Sequence, residues 1–265
     1  MDNKEYKTLE EVKQRAEEAI GHSFKEIFEL AREFQQKNGL KEKHGKGDIG
    51  QAYEEGWFNY VCNEEAKPDF KDADIELKVT PFLINSRGYR AKERLSLGKI
   101  NYRDENWNEY EKSRFWTKNH HLLVMYYQYS RGVKREEFSV EKVDTIFLEE
   151  LPERDCMIIQ HDWEKIAHYV KEGKAHELSE RDFMYLSPAR KGSGGDEKVK
   201  YNDKYPKAKS RAYSFKKSYM TKLFNERMLS PEEISHILPN VVLSKEKEFD
   251  DILIETLKPY LGRTV

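Results

Sequence analysis

Residues 67–82 read KPDFKDADIELKVTPF, a strand-like run that carries four carboxylates and three lysines where a core strand places apolar side chains. Side chains alternate along a strand, so Ile75, Leu77 and Val79 share one face while Glu76 and Lys78 share the other. Asp69 stands seven residues before Glu76, directly after a Lys-Pro pair that favours an extended entry and a turn. A carboxylate at the end of that turn can converge with one on the strand, and Glu54, on the helical segment before it, offers a third. Oxygen donors of this kind suit a hard divalent cation such as Mg2+. The carboxylates also keep a neighbouring lysine in its ammonium form, which can orient a water or neutralise charge on a phosphoryl group. The same alternation fits a half-exposed strand whose polar face is solvated and whose Glu76 and Lys78 form a surface ion pair.

The elements that must position these groups follow from periodicity. TLEEVKQRAEEAIG predicts a helix with Leu9, Val12, Ala16 and Ile20 on one face, Thr8 as N-cap, Glu11 completing a capping box and Gly21 ending it. SFKEIFELAREFQQKNG repeats the design, with Phe24, Ile27, Phe28, Leu30, Ala31 and Phe34 apolar and Gly39 as the stop. Asp48 is expected to cap a third helix, IGQAYEEGWFNYV, which carries Glu54. Strands are expected at DIELKVTPF, RLSLGKINY, HHLLVMYYQYS and VDTIFLEEL. Helices return at DWEKIAHYVKEGKAHEL, KKSYMTKLFNERML, PEEISHIL and KEFDDILIETLKPYL, with the lysine-rich PARKGSGGDEKVKYNDKYPKAKSRAY read as a loop between them. Helices, then strands, then helices predict an α/β fold with a mixed central sheet flanked by helices. The economical organisation is one domain over 1–265: a helical lobe at about 1–62, a sheet at about 63–160 and a second helical lobe at about 161–265.

Charge is unevenly spread. From Ser187 to Lys222 there are 11 Lys or Arg against 3 Asp or Glu, while the rest of the chain has 36 basic and 46 acidic residues. A net charge of −2 therefore hides a basic segment on an acidic body, the usual footprint for a phosphate backbone. A solvated charged loop would look the same. Tyr201, Tyr205, Tyr213 and Tyr219 interleave with the charges as packing residues or base contacts. No run reaches the roughly 18 apolar residues that cross a bilayer, and the charged MDNKEYKTLEEV start lacks the apolar stretch of a signal peptide. Cys62 and Cys156 stand far apart and read as reduced thiols of a cytoplasmic protein. His120, His121, His161, His168 and His176 match no compact ligand spacing and read as ordinary surface or core histidines. The run 192–195, GSGG, lacks the Gly-Lys-Ser/Thr of a phosphate-binding loop.

Several ordered stretches make the carboxylate run specific. K46-G47-D48-I49-G50-Q51-A52-Y53-E54, then K67-P68-D69-F70, then I75-E76-L77-K78-V79-T80-P81 resemble the mismatch-repair endonuclease MutH and its type II restriction relatives that cut at GATC, within the PD-(D/E)xK nucleases. D162-W163-E164, the run 172–180 EGKAHELSE and F215-K216-K217-S218-Y219-M220-T221 are similar to the same family, and EGKAHELSE points to its restriction members. The resemblance implies a restriction-endonuclease-like fold, metal-binding carboxylates at Glu54, Asp69 and Glu76, a catalytic lysine at Lys78 and a second active-site lysine at Lys118, at the start of the following strand. It implies Mg2+-dependent hydrolysis of double-stranded DNA with 5′-phosphate products. Lys191 resembles a lysine that approaches the DNA, and Arg190, Lys209, Arg211, Lys216 and Lys217 are further candidate contacts. Ser214 stands where the mismatch-repair member has a tyrosine, a departure that bears on any dependence on adenine methylation.

The first expectation is thus a type II restriction endonuclease. A mismatch-repair nicking enzyme shares the chemistry, a catalytically silent DNA-binding module shares the basic segment, and an unrelated structural protein would hold the motif by chance. Larger restriction relatives carry a second, MutH-like half, so the chain is expected to be the N-terminal catalytic part of a longer enzyme, or to self-associate.

Overall fold

Two capped helices open the chain in the computed structural model, which describes residues 5–41, 48–61, 67–85, 88–103, 106–191 and 198–228. Helix α1 (Leu9–Glu18) begins at Thr8, whose hydroxyl accepts from the Glu11 N–H while the Glu11 carboxylate accepts from the Thr8 N–H. Ser23 and Glu26 repeat that reciprocal pair at the start of α2 (Phe24–Lys37). Each box satisfies two N–H groups that would otherwise lack a helical partner. Phe24, Ile27, Ala31 and Phe34 are buried as the periodicity requires, but Ile20 is exposed. The helix has already ended at Glu18, and Ile20 lies in a bridge beside Val140 instead of on its apolar face.

Helix α3 (Asp48–Ala52) is shorter than the apolar spacing suggests, and Asp48 is its first residue and not its cap. It runs directly into a wider π turn, Tyr53–Trp57, in which Phe58 N–H donates to the Tyr53 carbonyl at 2.9 Å. Such turns insert a residue into a helix and re-aim the side chains they carry. Here the turn carries Glu54. Gly56 within it faces α2 so closely that a Cβ would come 2.5 Å from the Ala31 nitrogen.

A four-stranded mixed sheet forms the centre. Its strands are β1 (Glu76–Asn85) and β2 (Gly88–Ala91), and, beyond β3 (Leu95–Lys99) and helix α4 (Arg114–Asn119), β4 (His121–Gln128) and β5 (Val140–Phe147). The order is β2–β1–β4–β5, with β1 parallel to β4 and both outer pairs antiparallel. Pairing with β2 covers only Phe82–Asn85, so the Glu76–Pro81 end of β1 lies beyond the reach of β2. Pro81, which has no N–H to give a ladder, marks that limit.

Helix α5 (Glu153–Lys171) follows, beginning at Glu153 and not at Asp162. The stretch read as a basic loop in a helical lobe instead holds β6 (Leu186–Arg190), β7 (Lys198–Val199), β8 (Ala208–Lys209) and β9 (Arg211–Phe215) before α6 (Lys217–Met228). Strands β3, β9 and β6 make a second sheet in that order, and β7 pairs β8. Leu186, Ala189, Ala212, Tyr213 and Phe215 are buried along it, so alternating small and aromatic residues support strands despite the lysines around them. The helices expected at PEEISHIL and KEFDDILIETLKPYL, Cys62 and the run 192–195 lie outside the described residues.

The central sheet is covered on both faces. Ile75, Leu77, Leu123 and Met125 pack with α1, α2 and the α3 region. Phe82, Leu122, Val124 and Tyr126 pack on the opposite side with α5, α6 and the second sheet. Phe82 stacks on Phe224 with ring centroids 4.9 Å apart, tying β1 to α6. No described helix is long and apolar enough to cross a membrane.

Candidate active site

Residues 70–75 make a tight reversal: Phe70 N–H donates to the Ile75 carbonyl at 2.9 Å and Ile75 N–H donates back at 3.1 Å. That bridge brings Asp69 alongside the start of β1. The Asp69 N–H donates to Glu76 Oε2 at 3.2 Å, and the Leu77 N–H donates to Asp69 Oδ2 at 3.0 Å. The unpaired edge of β1 therefore finds its partners in the preceding carboxylate turn. Asp69 is 8% exposed and Glu76 2%. The solvated strand face allowed by the alternation is not what forms, because the Glu76 side lies against the second sheet and α4.

Two ammonium groups meet these carboxylates. Lys78 Nζ pairs with Glu76 Oε1 and donates to the Leu77 carbonyl at 3.1 Å. Lys118 Nζ lies 3.1 Å from Glu76 Oε2, 3.9 Å from Asp69 Oδ1 and 3.1 Å from the Lys67 carbonyl oxygen. Lys118 sits in the last turn of α4, just before β4, and not on the strand itself. Its aliphatic stem passes Gly98, which adopts φ +98° at an irregularity in the β3–β9 pairing.

The electrostatics follow from burial and charge. Burial raises the proton affinity of Asp69 well above the ordinary carboxylate range, and Glu76 and then Glu54 raise it further against Lys78 and Lys118. Burial alone would lower the Lys78 pKa, but Glu76, Asp69 and Glu54 together raise it, so Lys78 remains an ammonium. Asp69 and Glu76 supply buried carboxylate oxygens, a donor set that fits a hard divalent cation. Glu54 contributes field to both Asp69 and Lys78. Among the described residues, however, the three-residue group whose ligand atoms all lie within 4.8 Å is Asp74, His120 and His121, not the three carboxylates. The neighbouring Glu55, absent from the sequence reading, is buried and accepts from Gln35 Nε2 at 2.5 Å and Gln51 Nε2 at 2.7 Å. It anchors the turn that carries Glu54.

The basic candidates divide. Arg190, Lys191 and Lys217 are exposed, and Lys209 is half-buried on β8. Lys216 Nζ donates to the Phe183 carbonyl at 2.5 Å. Arg211 does not belong with them: it is 4% exposed and its guanidinium donates to the carbonyls of Pro188, at 2.6 Å, and Leu178. Burial lowers its pKa, the opposite of what a solvated phosphate contact experiences. All of β9 is buried, Arg211 included, which a loop reading could not reveal. Tyr201, Tyr213 and Tyr219 are buried packing residues, and Tyr219 stacks on Tyr185 at 4.0 Å.

The family model described as "DNA mismatch repair enzyme MutH" matches residues 58–162, which include Asp69, Glu76, Lys78 and Lys118 but not Glu54. The chain is 36% identical over 263 residues to "Type II restriction enzyme Sau3AI" of Staphylococcus aureus, a match covering 98% of this chain and 51% of that protein. It spans about half the length of the curated relative it matches. Residues 58–162 are thus similar to the MutH family, and nearly the whole chain is similar to about half of a type II restriction enzyme.

Proposed function

We propose that the chain is a type II restriction endonuclease domain that hydrolyses double-stranded DNA at GATC sites with Mg2+ and leaves 5′-phosphates. The observation that carries this reading is the meeting of Asp69 and Glu76 with Lys78 and Lys118 at one buried place. Asp69 and Glu76 would hold the cation, with Glu54 as the third carboxylate. A bound Mg2+ would polarise the scissile phosphate and lower the pKa of a coordinated water. Lys78, kept charged by its carboxylate neighbours, donates hydrogen bonds that position the attacking water or a phosphate oxygen. Lys118 moves from Glu76 to the charge that develops on the phosphoryl group. Water adds across the P–O3′ bond, leaving a 3′-hydroxyl and a 5′-phosphate.

Arg190, Lys191, Lys209, Lys216 and Lys217 would contact phosphates and displace counterions, so affinity falls with salt. The greater length of the restriction relative supports a further half, or a second copy, as partner. The family model's own description favours one other reading, a mismatch-repair nickase.

Unmethylated plasmid incubated with the protein and Mg2+, followed by sequencing of the ends, tests both. Linear product with 5′-phosphates at GATC is expected. Nicked circles alone favour the repair reading. Ends elsewhere overturn the site preference, and absence of Mg2+-dependent cleavage overturns the nuclease reading.

A further inference from the structure

Behind the carboxylate turn lies a second convergence of ligand atoms. The parallel register pairs Glu76 with Leu122, which sets Asp74, two residues earlier, beside His120. Asp74 Oδ2 is 2.8 Å from His120 Nε2 and 3.3 Å from His121 Nδ1. The Asp74 carbonyl oxygen lies 3.2 Å from the same His121 nitrogen. Each ring's remaining nitrogen faces an acceptor: His120 Nδ1 is 2.8 Å from the Trp116 carbonyl, and His121 Nε2 is 2.6 Å from Glu149 Oε1. An imidazole that donates from one nitrogen to a carbonyl or carboxylate presents the other as a lone pair, the arrangement that orients metal-ligating histidines. With those tautomers, His120 Nε2, His121 Nδ1 and Asp74 Oδ2 all present lone pairs to one another and need a cation between them. The rings are fixed by stacking, His120 on Trp116 and against His121, with centroids 4.1 Å apart in the second pair.

We propose that Asp74, His120 and His121 form a binding site for a borderline transition-metal ion of the Zn2+ or Co2+ class, separate from the carboxylate centre. Two imidazole nitrogens and one carboxylate oxygen suit such an ion and not Mg2+, which prefers oxygen donors. The three side chains are only partly buried, leaving room for water as a further ligand. Asp74 is held at φ +55°, an uncommon conformation for a non-glycine residue, in the reversal between Asp69 and Glu76. His120 follows Lys118 by two residues. An ion here would therefore join the reversal carrying the carboxylates to the helix end carrying Lys118, and its role is to hold those elements in place.

The test is a Co2+ titration of chelator-treated protein in saturating Mg2+, read by visible absorption. One equivalent giving nitrogen-ligated d–d bands is expected, lost in His120→Ala and His121→Ala and retained in Glu76→Gln. Zn2+ should raise the unfolding temperature of the unaltered protein and of Glu76→Gln but not of the histidine variants. Asp74→Asn and Glu149→Gln, which keep the side-chain shape, should weaken Co2+ binding at least tenfold, and circular dichroism of each variant checks its fold. Absence of the bands would overturn the proposal and leave the histidines as imidazolium partners of Asp74 and Glu149. Bands that survive both histidine changes, or vanish in Glu76→Gln, would also overturn it. None of these readouts depends on DNA cleavage, so the site stands or falls independently of the nuclease reading.

Discussion

Lys118 Nζ reaches both carboxylates of the candidate centre, 3.1 Å from Glu76 and 3.9 Å from Asp69, from a helix that is not part of the carboxylate motif. Lys78 holds the other oxygen of Glu76. In this state the two ammonium groups balance the buried negative charge. Occupancy by a cation would compete with both, and it would free the lysines to face a phosphate.

Lys118→Met keeps the apolar stem against Gly98 and removes only the charge. Single-turnover cleavage should fall by on the order of 10²-fold, as for loss of one preorganised electrostatic donor, while duplex binding measured in Ca2+ stays nearly unchanged. Cleavage within about threefold of the unaltered protein, well short of that expected loss, would remove Lys118 from the reaction.

Asp69 makes a prediction about pH. Its pKa in the folded chain is raised by burial first and by Glu76 and Glu54 next. A raised carboxylate pKa means that the metal-free fold binds more protons than the unfolded chain. Its stabilising contribution is full below the ordinary pKa of 3.8 and is lost as pH rises through the folded value. A cation must displace that proton, so apparent Mg2+ affinity should rise with pH, measurable by calorimetry. Asp69→Asn should abolish cleavage yet stabilise the chelated protein above that window by about 0.5–2 kcal/mol, read from urea unfolding. Equal or lower stability of the variant would contradict the electrostatic account.

The elements that bring the candidate carboxylates together were legible because their signals are local. Asp69, Glu76 and Lys78 lie within one turn and one strand, and the capping boxes at Thr8 and Ser23 are spaced three residues apart. What escaped depends on long-range pairing. Strands β6 and β9 sit among lysines, and their buried small and aromatic residues carry little periodicity over five positions. Asp74 meets His120 and His121 only through the β1–β4 register, so no ligand spacing could disclose them. Arg211 and Lys216 looked alike as charges, whereas a fully buried strand encloses the first.

That burial separates two kinds of basic residue. Arg211→Ala would leave the Pro188 and Leu178 carbonyls without their donor and should cost about 2–4 kcal/mol, with little change in the salt dependence of DNA binding. Arg190→Ala and Lys217→Ala should leave stability nearly intact. Each should instead reduce the slope of log affinity against log salt by about 0.9 if it contacts a phosphate. Urea unfolding and duplex binding across a salt series distinguish the patterns, and a stable Arg211→Ala protein with a reduced slope would return Arg211 to the DNA surface.

Gly56 links packing to the third carboxylate. A Cβ there would lie 2.5 Å from the Ala31 nitrogen, 2.9 Å from its Cα and 2.9 Å from the Ile27 carbonyl oxygen, all backbone atoms that cannot rotate away. Gly56→Ala must therefore push the π turn off α2, at about 1–3 kcal/mol of overpacking. Glu54 lies in the same turn, so the displacement should also raise the Mg2+ concentration needed for half-maximal cleavage. Glu54→Gln should shift the Mg2+ requirement in the same direction without the loss of stability. If Gly56→Ala lowers the unfolding temperature while both variants keep the original Mg2+ dependence, the π turn is a packing device and Glu54 has no part in holding the cation.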